Sequence, residues 1–212
     1  MHKSFFFLFC FVLEIITGFS QPAGFKPMQD EAAFKQKLAE SSRATNSIKS
    51  NFTQEKNLSL IEEKVISRGT FLFKKENKVR MEYTQPFKYL LIINGDKVII
   101  KDQQKSNSFS AGSNKLFSAI NNIIIDCVKG TALENKNFTH KLFSGEKNYL
   151  IQLSPVKKDL KEFFTSINIY LDKNDYSVAN IDMIEPSGDN TFITFINKSI
   201  NVNIPDAEFT NK

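Results

Sequence analysis

The chain is governed by a period of two. From Ile48 onward, apolar and polar residues alternate in short runs, and most runs end at a turn signal. Val65–Lys75 (VISRGTFLFKK) and Lys78–Thr84 (KVRMEYT) read as two strands, joined by a turn at Glu76–Asn77 and stopped at Pro86. Such alternation sends successive side chains to opposite faces of a sheet. Tyr89–Ile93 and Lys97–Lys101 flank Asn94–Gly95–Asp96, and Asn–Gly between β-branched runs is the strongest short hairpin signal. Ile48–Leu58 alternates more weakly. Phe138–Phe143, Asn148–Leu153, Ser166–Asp172, Val178–Glu185 and Thr191–Ile196 follow, with turns at Lys173–Asn174–Asp175 and Ser187–Gly188–Asp189. The expectation is about ten strands in one antiparallel meander.

Two segments keep a longer period. Asp30 is placed to cap a helix running from Glu31 to about Thr45, with Phe34, Leu38 and Ile48 as its apolar stripe. Ser113–Val128 has helical length and an apolar stripe of Leu116, Phe117, Ile120, Ile123, Ile124 and Val128, with Ser113 as cap and Gly130 as stop. The β-branched run Ile123–Ile125 leaves a strand open as the alternative. The fold class expected is mainly β with helices (α+β): a large curved antiparallel sheet with one apolar face and two helices against it. Phe71 and Phe73 share a face with Lys75 at its end; Val79, Met81 and Tyr83 share a face on the next strand, with Arg80 and Glu82 opposite. So wide a sheet cannot fill its concave face with its own side chains. Either helices plug it or a cavity remains.

The first twenty residues read as an address. Met1–His2–Lys3 is a positive start, Phe5–Phe19 an apolar run shorter than a bilayer span, and Gly18–Phe19–Ser20 a small-x-small site before Gln21. The expectation is an exported protein cleaved near Ser20/Gln21, with residues 21–212 forming one domain. Past that site one cysteine remains, Cys127, so no internal disulfide can form and the core must hold the fold.

Chemistry is scarce. His140 is the only histidine of the mature chain and lies mid-strand beside Phe138 and Leu142; Cys127 follows Asp126, which disfavours a thiolate. No HExxH, CxxC or DxDxDG spacing occurs. Asp172, Asp175, Asp182 and Asp189 fall at expected turns and strand ends, where aspartate serves local hydrogen bonds. Net charge is +5, with basic and acidic residues interspersed, which gives nucleic-acid binding little support. The expectation is no catalytic residue, no metal and no cofactor. The positive signal is apolar: 21 phenylalanines in the whole chain, on a sheet too wide to fill itself. A cavity for a greasy ligand and a fully packed core stand level on this evidence.

Several motifs, in order, resemble the LolA family of outer-membrane lipoprotein carriers. Phe52–Thr53–Gln54 matches its F-T-Q, and Ser67–Arg68–Gly69–Thr70–Phe71–Leu72–Phe73 looks like its S-x-G-x-F-x-F strand. Arg80–Met81–Glu82–Tyr83 with Thr84–Gln85–Pro86 is similar to R-W-x-Y-x-x-P, with Met81 in place of the tryptophan. Asn94–Gly95–Asp96–Lys97–Val98, Leu153–Ser154–Pro155, Phe192–Ile193–Thr194–Phe195 and Ile204–Pro205–Asp206–Ala207–Glu208–Phe209 resemble later motifs, so the likeness runs over about residues 31–210.

The resemblance implies an incomplete β-barrel with a helical lid over an apolar cavity, in a monomeric periplasmic shuttle without catalytic activity or cofactor. Such a shuttle takes acylated lipoproteins from an inner-membrane ABC release complex to an outer-membrane acceptor. The wall is expected from Phe71, Phe73, Val79, Met81, Tyr83, Leu91, Ile93, Ile181 and Met183, and the lid from Phe117, Ile120 and Ile124. Lys75–Glu76 stands where better-known members carry an Arg–Pro pair whose arginine clamps the lid; Lys75 is the candidate clamp, without the forked donor geometry. Two rival readings keep the fold: a carrier of another amphiphile, such as a free lipid or lipid-linked product, and a sensor or adaptor for a partner protein.

Overall fold

The computed structural model describes residues 22–102, 106–110, 122–123, 125–126 and 130–210. Twelve strands form one antiparallel sheet: β1 (Lys26–Pro27), β2 (Ser47–Leu58), β3 (Glu63–Lys74), β4 (Lys78–Gln85), β5 (Tyr89–Asn94), β6 (Lys97–Lys101), β7 (Ser106–Ser110), β8 (Phe138–Ser144), β9 (Asn148–Pro155), β10 (Ser166–Asp172), β11 (Val178–Ile184) and β12 (Asn190–Ile200). Their order is β1-β8-β9-β10-β11-β12-β2-β3-β4-β5-β6-β7. Two meanders, β2–β7 and β8–β12, are thus joined side by side through β12 and β2, and the sheet does not close into a barrel. β1 and β7, short edge strands, were not foreseen. Both lack the long apolar alternation by which the others are recognised.

Local chemistry accounts for the turns. Lys74 pairs with Lys78, so the loop between β3 and β4 is the three residues Lys75–Asn77, in which Glu76 and Asn77 take the left-handed φ of 73° and 60° that so tight a reversal uses. The next hairpin differs by one residue from the Asn–Gly expectation. Asn94 pairs with Lys97, so Gly95–Asp96 is the turn, with Gly95 at φ 59°. α1 (Glu31–Ala44) begins as expected, with Ala33 N donating to Asp30 Oδ1 at 2.9 Å. Phe34 and Leu38 are its buried residues; Ile48 belongs not to its stripe but to β2. A four-residue helix, α2 (Lys158–Lys161), follows β9. Residues 122–123 and 125–126 are helical, so the strand alternative is not taken there. Gly130 follows at φ 69° and passes so close to α1 that an added Cβ would lie 2.2 Å from Ser42 Oγ.

Paired residues share a face, and the register writes the concave wall as rows. Phe73, Val79, Ile93 and Val98 form one; Phe71, Met81, Leu91 and Ile100 the next. Across the sheet, Leu142, Ile151, Ile169, Ile181 and Ile193 form another. Ile123 packs with the cluster of Phe34, Leu38 and Ile151, and Ile125 with that of Phe71 and Phe73. The helical residues between β7 and β8 therefore bridge the two halves of the concave face.

The expectation of a single apolar face fails at one place. Leu72, Ile92 and Ile99 point to the convex side and are buried there under Ile204 and Phe209. The segment after β12 folds back across β3–β6 as a strap ending in a 3-10 turn at Asp206–Phe209. Lys74 and Lys78 hold it through Asp206, at 2.6 and 3.0 Å.

Candidate functional site

The concave face holds an open recess at the seam between the two meanders. β2, β3, β11 and β12 supply its floor, and the C-terminal turn of α1 its roof. Ile48, Phe71, Val178, Ile181 and Phe195 give it an apolar wall, while Ser41, Ser42, Ser50, Ser177 and Lys198 give it polar groups. The space is about 560 Å³, part of it open to solvent. As a cavity it is narrow, about 40 Å³; its wall, like that of small-molecule sites, is largely apolar with a few placed polar groups.

The end of α1 is tied down over this recess. Lys75 Nζ donates to Arg43 O at 2.6 Å, and Asn201 Nδ2 to Ala44 O at 3.0 Å. Both satisfy carbonyls that a helix leaves unpaired at its C-terminus, where a cation is also favoured. Lys75 thus bonds to helix backbone, and the helix is α1. The lid residues Phe117, Ile120 and Ile124, and Cys127, lie outside the described residues.

The nine wall residues separate by depth. Phe71, Phe73, Val79, Met81, Leu91 and Ile93 come together in one buried cluster. Phe71 from that cluster and Ile181 from the neighbouring one also reach the recess. Met183 lines a different hollow beside Phe163, Phe164 and Pro186. Tyr83 sits at the far end of its row, stacked edge-on against Phe52 and Tyr89, with its hydroxyl donating to Gln54 Oε1 at 2.8 Å. Burial, with the Tyr89 phenol beside it, pushes the Tyr83 hydroxyl up to about 12.

Sequence reasoning missed the polar residues of the recess. Ser41, Ser42 and Ser177 look like surface serines, and Lys198 lies beyond the strand expected to end at Ile196. Only Ser50 carried a signal, by sharing the face of Ile48 and Phe52 on β2. His140 is half-buried, between buried Phe138 and Leu142. Asp172, Asp175 and Asp189 accept from Asn174, Ser177 and Ser59 in the turns where they stand. Asp182, by contrast, is inside β11 and accepts from Asn190 Nδ2 at 2.7 Å. Among the described residues, no three His, Cys, Asp or Glu side chains stand together as a metal site. None of the described helices is long and apolar enough to cross a membrane.

A half-closed antiparallel sheet with an apolar recess under a helix is the framework of a binding protein. The profile of the family described as "Outer membrane lipoprotein carrier protein LolA" matches residues 43–212. The chain belongs to that family. No curated protein matches it in sequence. Among solved structures, an uncharacterized conserved protein from Thermus thermophilus is 11% identical, with a TM-score of 0.52 over 86% of this chain and 94% of that one. MucB is 12% identical, with a TM-score of 0.51 over 88% of this chain and 65% of that one. A LolA superfamily protein from Nitrosomonas europaea is 10% identical, with a TM-score of 0.44 over 84% and 97%. At these identities the likeness concerns the fold alone.

Proposed function

We propose that the protein is an exported, non-enzymatic carrier that shelters the acyl chains of lipoproteins on their way from the inner to the outer membrane. The observation that carries this reading is the recess under α1. It is apolar over most of its wall, set on the concave face, and present in a chain whose family is named for lipoprotein carriage. Each methylene taken from water contributes about 0.8 kcal/mol. An acyl chain free in the periplasm would otherwise aggregate or reinsert, so a recess covering even part of one keeps its bearer in solution. Release must remain possible. A wall that grips by apolar contact alone suits this.

In this reading residues 1–20 are removed on export, the mature chain is a single domain, and Phe71, Ile181 and their buried neighbours form the floor on which chains lie. Lys75 keeps the roof in place through α1. The partners are an inner-membrane release complex and an outer-membrane acceptor. The test is a release assay from spheroplasts in the presence of the purified protein. The expected product is a soluble one-to-one complex with an acylated lipoprotein, lost in Phe71→Asp and retained in a convex-face charge change such as Lys64→Glu. Cargo left in the membrane, or binding unaffected by Phe71→Asp, overturns the reading. N-terminal sequencing of the exported protein should begin at Gln21.

A further inference from the structure

The recess has a built polar end that plain hydrocarbon carriage does not use. Along β12, Ile193 and Phe195 face inward, so strict alternation would send Lys198 to the convex side. The pairing with β2 slips at that point: Ile196 stands opposite Asn51 and Ser199 opposite Lys49, leaving Asn197 and Lys198 together against Ser50. Asn197 takes φ 54°, a left-handed conformation that asparagine tolerates better than most residues. A bulge of this kind re-aims one side chain, and here it turns Lys198 into the recess.

Two features of that end point to a ligand. Lys198 Nζ donates to Ser177 Oγ and, at 3.4 Å, to Val178 O. It forms no ion pair among the described residues. Asp175 is held one step away, accepting from the Ser177 hydroxyl at 2.6 Å. Opposite the bulge, Ser50 is 3% exposed and its Oγ has no hydrogen-bond partner. A buried hydroxyl is rarely left unpaired, because burial without a partner is costly.

We propose that this end of the recess binds the anionic headgroup of an acyl-chain amphiphile, a carboxylate or a phosphate. Lys198 Nζ supplies the charge, and the Ser50 hydroxyl donates to a headgroup oxygen. The hydrocarbon chain lies on Ile48, Phe71, Ile181 and Phe195. The proposal rests on the carrier reading, since headgroup and chain occupy the same recess. A charged group there replaces water with a lysine donor in partly desolvated surroundings, where such bonds are stronger than neutral ones.

The test is titration calorimetry of the purified full mature chain with laurate, dodecyl phosphate and methyl laurate, the two acids below their micelle concentrations and the ester below its solubility limit. At least one acid should bind roughly tenfold or more tighter than the neutral ester, as a charge-assisted hydrogen bond predicts. Which acid leads separates a fatty acid from a phosphate-bearing lipid. Lys198→Met should erase the gap by weakening the acids toward the level of the ester, whereas Lys198→Arg should keep it. Ser50→Ala should leave the free protein at least as stable, since its hydroxyl has no partner to lose, while weakening the acids several-fold. Should Lys198→Met fail to fold, the Ser50→Ala pair of measurements decides the matter. Equal binding of ester and acids, or a gap that survives Lys198→Met, overturns the anionic site and leaves the carrier reading standing. If none of the three ligands binds the wild type, the anionic site is overturned as well, and the spheroplast release assay decides the carrier reading separately.

Discussion

Gly69 shows how one residue can be required without touching a ligand. A Cβ there would lie 2.1 Å from Glu82 O and 2.8 Å from the Phe52 ring. The register between β3 and β4 shifts between Arg68 and Gly69, and the Phe52 ring, edge-on to Tyr83, covers the place where a side chain would stand. This is the physical content of the glycine in Ser67–Arg68–Gly69–Thr70–Phe71. Overpacking of this kind typically costs 1–3 kcal/mol, and backbone is the atom that must yield, so Gly69→Ala should lose about 3 kcal/mol in urea denaturation. Beside it, Tyr83 offers a pH test. Its hydroxyl is held near 12 against an ordinary 10, so the folded state favours the neutral phenol. That stability is fully present below pH 10 and is lost as pH rises through about 12. The urea midpoint should therefore fall across that window, and Tyr83→Phe should fall less, after losing about 1 kcal/mol at neutral pH for the bond to Gln54.

Among the elements, the C-terminal strap does more for the fold than its length implies. It covers Leu72, Ile92 and Ile99, which would otherwise present a bare apolar strip on the convex face. Phe209, 1% exposed, is its main anchor. Phe209→Ala should cost about 3–5 kcal/mol, as for other buried phenylalanines, and expose that strip to a hydrophobic dye. The ion pairs of the strap matter less. Hydrogen bonds from Lys74 and then Lys78 hold the Asp206 carboxyl below its usual range, so their contribution is present at neutral pH and fades as pH falls through that lowered value. Exposed pairs are screened, so acidification should loosen the strap only slightly while Phe209 stays seated. At the other end of the chain, Asp30→Ala should cost α1 about 1 kcal/mol through its lost cap.

For the whole molecule, the pairing of β12 with β2 is the decisive joint. It brings residues 190–200 against residues 48–57 and turns two separate meanders into one surface. Loop-closure entropy must be met before so distant a pairing repays it. Refolding should consequently take milliseconds to seconds; a stopped-flow experiment finding it complete in microseconds would contradict this topology. The recess lies along that same joint, with Ile48 and Ser50 from one meander and Val178, Ile181 and Phe195 from the other. Neither meander alone contains the site. The inward-facing residues were recognisable, because alternation places Phe71, Phe73, Val79 and Met81 on one side of the sheet. Which of them would reach open space was not, because depth depends on what packs above each row.

Read alone, the amino-acid order was enough for everything that acts over a few residues. It announced the period-two runs, the turns at Glu76–Asn77 and Gly188, the Asp30 cap and the scarcity of reactive groups. Tertiary structure alone decided the partner of each outer strand, the second buried face under the strap, and the bulge that turns Lys198 inward. The division is physical. Alternation and capping are local energies, whereas strand order, burial on the convex side and a register slip arise only when segments far apart in the chain meet.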